Sequence, residues 1–375
     1  MKKICFYINS DWYFNLHWLD RATAGVNEGY EVHVICNFES KEIINKFRSL
    51  GIITHDSKMS EQSLNPLIII KDILKSIKLI NTINPDILHC ITIKPCLIGG
   101  CYAKVCKKNL VLSFVGLGRV FSSDEKKYLF LKNMVAPLYR WITAKKDVFL
   151  IFEHENDRSR IIQMTGVRQD KTIVIEGAGI DVKDFNYVKE EIKPTPIVLF
   201  ASRLIWSKGL ADLIEVKRNL EAKNIFFELN VAGISVKNDP DCIPDNVIEQ
   251  WSAEKKINWL GKSNNVKELI EMSNIVALPS VYAEGVPRIL IEAAAVGRAS
   301  IAYDTGGCTS IIENNLTGFI VPKNDIAQLS QKIEELLINA RLREELGLRA
   351  RERVTNLFSS TSVIEKTLLI YKSLG

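Results

Sequence analysis

Four side chains in the second half of this 375-residue chain have the types and spacing to handle a phosphorylated, hydroxylated ligand. Arg203 and Lys208 lie five apart, just after the apolar run that follows Pro196. Two cations on a loop at the end of a strand suit a diphosphate, and an Arg binds its oxygens bidentately. Glu284 and Glu292 lie eight apart, astride the start of a short apolar helix, Arg288 to Val296. A turn carries Glu284 and Gly285; backbone N–H groups over Val286 to Ile289, those of Val286, Arg288 and Ile289, then point out of the helix start, and the helix dipole adds positive potential. Pro287 suits the first helical position, where its fixed φ helps and its missing N–H is no loss. A carboxylate inside I-L-I-E-A-A-A is costly to bury without partners. A salt bridge would explain one such Glu; two, astride a helix start, favour the hydroxyl groups of a ligand.

The elements that must position these residues alternate. Pro196 to Gly209 reads as strand, loop and helix. Strands follow at Phe226–Ala232, ending at Gly233, and at Ile257–Leu260, ending at Gly261 and Lys262. Ile275–Leu278, Ala299–Tyr303 and Gly318–Pro322 continue the series, with Asp304 to Gly307 as a tight loop and helices from 325 to 356. In the first half, strands are expected at Ile4–Ile8, Glu31–Cys36, Ile52–Thr54, Ile87–Cys90, Leu110–Phe114, Val148–Phe152 and Thr172–Ile175. Helices are expected at 16–27, 40–50, 66–83, 96–107, 125–146 and 154–165. Such alternation predicts an α/β chain of doubly wound parallel sheets, with ligands at the carboxyl ends of strands.

E-G-V-P-R-I-L-I-E, Glu284 to Glu292, resembles the E-x7-E motif of the family-4 retaining glycosyltransferases. The preceding P-S-x-x-x-E-G-x-P and the following D-T-G-G resemble the same family, most strongly over 197–325. Arg203 and Lys208 match its G-R-L-x-x-x-K-G motif, with Ser202 in place of the first Gly. Glu176 to Asp181 resembles its N-G-V-D turn, with Ala178 replacing Asn. The resemblance implies a GT-B fold, two Rossmann-like domains with a central cleft. Residues 1–185 would bind the acceptor and 186–358 the nucleotide sugar. Residues 359–375 would form a C-terminal helix, about Ser362 to Ser373, returning to the first domain. Val188 to Pro196, charged and with two prolines, reads as the linker.

The resemblance also implies roles. Glu292 would bind the ribose hydroxyls and Glu284 a hydroxyl of the donor sugar. Leu260, Gly261 and Lys262 would hold the base, with Gly233 on a neighbouring donor loop. Arg203 and Lys208 would neutralise the leaving diphosphate of a UDP-sugar, with retention of configuration and without a metal or other cofactor.

Gly116-Leu117-Gly118, with S-L-N-P at Ser63 and I-K-P-C at Ile93, resembles a subgroup that extends undecaprenyl-diphosphate-linked sugars, including α-1,3-N-acetylgalactosaminyltransferases. Many family members have a His where this chain has Gly116. The loop from Gly116 through Gly118 and Arg119 is a candidate for the reacting cleft. The first loop, Ser10 to His17, carries no glycine, so it is not a phosphate loop. Its Asp11, Trp12, Asn15 and His17 suit a sugar or lipid-linked acceptor; equally, its rings suit packing between domains. No general base is assigned; Asp11 and His17 are the candidates.

Composition bounds the rest. The length suggests two domains. Hydrophobic content of 47% and charged content of 25% are those of an ordinary globular protein. No run of about 18 apolar residues is present, and the first apolar run ends by Asn9, too short for a signal peptide. The eight cysteines form no C-x-x-C or zinc pattern and are read as reduced, mostly buried, in a cytosolic protein. Net charge is +5, and residues 1–185 carry 26 Lys/Arg against 20 Asp/Glu. That half favours an anionic partner, without any nucleic-acid motif. Residues 126–146 hold six Lys/Arg, two Tyr and a Trp. They suit the anionic cytoplasmic face of an inner membrane, or else an ordinary helix broken near Pro137. The alternatives to a transferase are an epimerase or hydrolase on the same fold, or a non-catalytic glycan- or membrane-binding module. A dehydrogenase is disfavoured by the lack of an early G-x-G-x-x-G.

Overall fold

The structure is a computed structural model. It describes residues 1–59, 66–117, 121, 126–236, 239–263, 265–282 and 285–374. The chain forms two compact units, Met1–Gly179 with Ser360–Gly375, and Ile180–Ser359.

The first unit runs β1 (Lys3–Ser10), α1 (Asp11–His17), α2 (Leu19–Asn27), β2 (Glu31–Asn37), α3 (Lys41–Ser49), β3 (Ile53–Asp56), α4 (Pro66–Ile83), β4 (Ile87–Ile91) and α5 (Ile93–Val105). It continues with β5 (Asn109–Phe114), α6 (Lys126–Thr143), β6 (Val148–Phe152), α7 (Glu155–Thr165) and β7 (Thr172–Val174). Its sheet has the order β3-β2-β1-β4-β5-β6-β7, and every pairing is parallel. The central strands are buried along nearly their whole length, as parallel strands covered on both faces must be. One face packs Tyr7, Leu88, Leu112 and Leu150 against the helices that carry Ile80, Tyr102 and Ile142. The other face packs Phe6, Val34 and Val111 with Trp18 and Phe47.

The second unit runs β8 (Ile197–Ala201), α8 (Leu210–Glu221), β9 (Glu228–Ala232), α9 (Asp245–Ala253), β10 (Asn258–Gly261), α10 (Val266–Met272), β11 (Ile275–Leu278), α11 (Arg288–Val296) and β12 (Ala299–Tyr303). It ends with α12 (Gly306–Ile311), β13 (Phe319–Val321), α13 (Ile326–Ile338) and α14 (Ala340–Leu357). The sheet order is β10-β9-β8-β11-β12-β13, again all parallel. Helix α15 (Ser360–Leu374) belongs to the first unit, where Tyr371 Oη lies 2.6 Å from Nδ1 of the buried His89 on β4.

Both units are therefore doubly wound α/β sheets. Several details differ from the expectation. Ser10 to His17 is not a loop: α1 starts at Asp11. The domain boundary falls at Gly179–Ile180, not at 185. Val188 to Pro196 lacks regular structure, yet its first half is no free linker. Val188 N donates to Val296 O at 3.2 Å, and Arg343 Nε donates to Glu190 Oε1 at 2.8 Å. Helix α6 runs through Pro137 without a break. Both Pro137 and Asn133, whose carbonyl loses its N–H partner, are exposed, so water replaces the missing bond. Asp304 to Gly307 is not all loop, because α12 starts at Gly306. Among the described residues no helix is long and apolar enough to cross a membrane.

Candidate active site

In the second unit the chain order reverses between β8 and β11. Such a topological switch point leaves a crevice at the carboxyl ends of the two strands. Arg203 and Lys208 follow β8; Pro279 to Ile289 follows β11. The two loops are locked by backbone. Gly209 has φ +82°, and a Cβ there would lie 2.0 Å from Pro279 O. Only glycine suits both the conformation and the approach. Val281 N and Tyr282 N both donate to Ser207 O, at 2.9 and 3.2 Å. Asp241 secures the same turn, accepting from Ser207 N at 3.2 Å and from the Ser207 hydroxyl.

These bonds bring the Tyr282 ring to both cations. Arg203 Cζ lies 5.5 Å and Lys208 Nζ 5.6 Å from its centroid, within the range of cation–π attraction. Arg203 also faces Asp239 Oδ2 at 3.8 Å, with 42% of its side chain exposed. Lys208 is buried. Two positive groups are thus held over one ring at the carboxyl end of β8.

The start of α11 is built as tightly. Pro287 is the N-cap rather than the first helical residue, with φ −67° and ψ 118°, and its carbonyl accepts from Leu290 N at 3.1 Å. A Cβ on Gly307 would come 1.5 Å from Gly285 O, so the start of α12 abuts the turn that precedes α11. Inside α11, Glu292 is buried and accepts from Arg288 Nε at 2.7 Å. Burial raises its pKa from the ordinary value, and Arg288 opposes that shift. The expected helix start is present, and the buried Glu has an ion-pair partner on its own helix. Glu284 lies outside the described residues.

Gly233, Leu260, Gly261 and Lys262 stand at the same carboxyl edge of the sheet, after β9 and β10. Gly233 N donates to Gly261 O at 2.8 Å, and Trp259 Nε1 donates to Gly233 O at 3.1 Å. A Cβ on Gly233 would lie 2.0 Å from Ser202 O, which ties this loop to that of Arg203. Leu260 and Lys262 are exposed.

The first unit disperses its candidates. Asp11 is buried, and its carboxylate accepts from Trp12 N, Glu39 N and Ser40 N at 2.7, 3.0 and 3.1 Å. That geometry fits a loop-closing carboxylate, not a proton acceptor. His17 stacks on Tyr13 with ring centroids 4.3 Å apart, and Asn15 Oδ1 accepts from Lys46 Nζ at 2.9 Å. Trp12 is half exposed. Gly116 follows β5 with φ +98°. Gly118 and Arg119 lie outside the described residues.

Tyr282, Asp239 and Asp241 were not found in sequence. Asp239 and Asp241 form an Asp-x-Asp with Pro240; no motif marks Tyr282, which only the fold brings to the two cations. The Arg288–Glu292 bond did leave a signal, since residues four apart on a helix are neighbours.

Comparison with known proteins agrees with this architecture. Residues 182–353 match the family model described as glycosyl transferases group 1, and residues 3–152 match the one described as glycosyl transferase 4-like. Among curated relatives, the N,N'-diacetylbacillosaminyl-diphospho-undecaprenol alpha-1,3-N-acetylgalactosaminyltransferase of Campylobacter jejuni is 27% identical over 343 residues, 88% of each chain. The putative glycosyltransferase EpsD of Bacillus subtilis is 25% identical, covering 99% of this chain and 97% of its own. The solved glycosyltransferase from Rickettsia africae has a TM-score of 0.76 at 21% identity, covering 100% of this chain and 98% of its own. Anabaena HepE in complex with UDP gives 0.76 at 17% identity, with both chains fully covered. Each half of the chain thus matches a glycosyltransferase model, and the whole shares the GT-B fold of these structures. The chain is a glycosyltransferase whose two halves match these two family models.

Proposed function

We propose that this enzyme transfers a sugar, an N-acetylhexosamine, from a UDP-linked donor to a lipid-diphosphate-linked sugar in the assembly of a bacterial surface glycan. The observation that carries the donor half is the placing of Arg203 and Lys208 about Tyr282, at the β8–β11 switch point. As the bond to the donor sugar breaks, negative charge grows on the departing diphosphate. Fixed cations stabilise that charge more than they stabilise the intact donor, which lowers the barrier. The start of α11 adds its dipole in the same sense.

The remaining roles follow the motif. Glu292 takes the ribose hydroxyls, sharing its carboxylate with Arg288, and Glu284 takes a hydroxyl of the donor sugar. Leu260, Gly261, Lys262 and Gly233 border the base. Reaction proceeds with retention, giving an α-linkage, and needs no metal. The lipid-linked acceptor is supported by the name of the Campylobacter jejuni relative, which specifies a diphospho-undecaprenol substrate. Such an acceptor places the enzyme peripherally at the cytoplasmic face of the inner membrane. The surplus of basic residues in 1–185 suits that surface.

The test is a panel of UDP-sugars with synthetic undecaprenyl-diphosphate-linked N-acetylhexosamine acceptors, read by product mass with UDP release counted in parallel. Transfer from one donor that requires the acceptor and survives a chelator supports the proposal. UDP release without acceptor would favour a hydrolase or epimerase instead. Silence with every UDP-sugar would move the donor to another nucleotide.

A further inference from the structure

The first unit has its own switch point, between β1 and β4, and by the same rule a ligand crevice opens at their carboxyl ends. The register of this pair ends at Tyr7↔Cys90. Asn9 and Thr92 each lie two residues beyond that last registered pair, at the carboxyl ends of these neighbouring strands.

Two unusual features meet at these residues. Thr92 has φ 72° and ψ 163°, a backbone conformation that glycine tolerates and a β-branched residue does not adopt without strain. The structure nevertheless holds it there. Thr92 N donates to Ser113 O at 3.2 Å, and Thr92 O accepts from Cys96 N at 3.0 Å. The second feature is unmet polarity. Asn9 Oδ1 and Thr92 Oγ1 are both buried without a hydrogen-bond partner among the described residues. Thr92 is the N-cap of α5, where a Thr hydroxyl ordinarily accepts a first-turn N–H, yet it makes no capping bond. Its hydroxyl has no structural use. A buried polar atom without a partner carries its full desolvation penalty; here one such atom belongs to the strained residue and the other lies near the carboxyl end of the neighbouring strand. Strain of this kind clusters at active sites and ligand clamps.

We propose that Asn9 and Thr92 form a hydroxyl-binding pair for the acceptor sugar. This rests on the proposed transfer to a hydroxylated acceptor. Asn9 Oδ1 accepts a hydrogen bond from one sugar hydroxyl, and Thr92 Oγ1 exchanges one with a neighbouring hydroxyl. A neutral pair of this kind recognises a sugar ring and not its diphosphate, for which the site would need positive charge.

The experiment uses the full chain with Thr92→Gly, Thr92→Ser and Asn9→Ala. Glycine removes the hydroxyl and relieves the strain, so Thr92→Gly is expected to melt at or above the wild-type temperature. Its acceptor KM should rise about tenfold, while its UDP affinity by calorimetry stays unchanged. Asn9→Ala should raise the acceptor KM similarly, and Thr92→Ser should stay within about threefold of wild type. Unchanged acceptor KM in both Thr92→Gly and Asn9→Ala would overturn the inference and point to a trapped water as the natural partner. A Thr92→Gly protein that melts below Thr92→Ser would also overturn it, because the residue would then serve the fold. If the wild-type chain transfers to no lipid-diphosphate sugar, the acceptor proposal fails separately, and the melting comparison still judges this one.

Discussion

Arg288 donates from Nε to Glu292 Oε1 at 2.7 Å, across one turn of α11. Glu292 is only 7% exposed. Its pKa is nonetheless raised, because desolvation outweighs the attraction of Arg288. The ion pair therefore does not fully offset the burial of its own anion, as is common for buried pairs. A charged group held at a net cost, beside a helix start that suits an anion, is explained better by a ligand than by the fold.

That sign makes a prediction for Glu292→Gln. A raised folded pKa means that the carboxyl's contribution is most favourable below its unfolded value, about 4.3, and is lost as pH rises through the folded value. At pH 7 the unfavourable part is fully present. Glu292→Gln, which keeps an acceptor for Arg288, should melt at or above wild type at pH 7, and the gap should narrow toward pH 5. Its UDP affinity should fall by about tenfold. Melting curves at both pH values and calorimetry with UDP decide it; a clear loss of stability at pH 7 would assign Glu292 to the fold.

Arg203 and Lys208 should act on turnover. Removing one charge that stabilises a departing diphosphate is expected to lower kcat by about 10²–10³-fold. Lys208 is buried, so Lys208→Met, which keeps the stem, separates charge from packing. The double variant should lose less than the product of the two single losses, since both act on one diphosphate. Steady-state kinetics with far-ultraviolet circular dichroism as a folding control tests this. On its motif alone, Glu284→Ala should also greatly reduce turnover in a folded protein.

The limits of reading this chain as sequence are physical. Ile275–Leu278, Arg288–Val296 and Ala299–Tyr303 were legible to the residue. Each is mostly apolar and buried, and Pro279, Pro287 and Gly297 punctuate the series, so local preference and burial agree. Ser10 to His17 was misread as a loop because its aromatic residues are weak helix formers. Its helix start depends on Asp11 reaching Glu39 N and Ser40 N, 28 and 29 residues away. Tyr282 carried no signal, since its meeting with two cations depends on Ser207 O capturing the loop after β11. The strain at Thr92 was equally hidden, because composition does not report φ.

Gly307 and Gly209 test whether close backbone packing shapes the donor site. Gly209→Ala adds a Cβ 2.0 Å from Pro279 O at φ +82°, so strain and clash combine. It should destabilise the protein by about 3 kcal/mol or more. Gly307→Ala places its Cβ 1.5 Å from Gly285 O, so one of the two segments must move. The start of α11 should shift with it, and UDP affinity should fall by about tenfold or more. Thermal melts and UDP calorimetry on both variants check this. A Gly307→Ala protein with native UDP affinity would show that the donor does not use this turn.

His89 gives the fold a predictable acid limit. It is fully buried, with Nδ1 2.6 Å from Tyr371 Oη on α15 and Nε2 2.7 Å from Ser113 Oγ on β5. Burial, and then the positive Arg21, hold its pKa well below the ordinary value. The folded state therefore prefers the neutral ring. The stability tied to that preference is present above the unfolded pKa, about 6.5, and drains away as pH falls toward the folded value. Wild-type melting temperature should decline between pH 7 and pH 5, and His89→Gln should start lower but decline less steeply. Tyr371→Phe should cost about 1–3 kcal/mol at every pH by leaving the ring nitrogen without its partner. Because the Tyr371 bond joins α15 to β4, that loss also measures how firmly the C-terminal helix is held to the first unit. Equal slopes for wild type and His89→Gln would assign the acid sensitivity to other groups, among them His55, whose pKa is also lowered by burial.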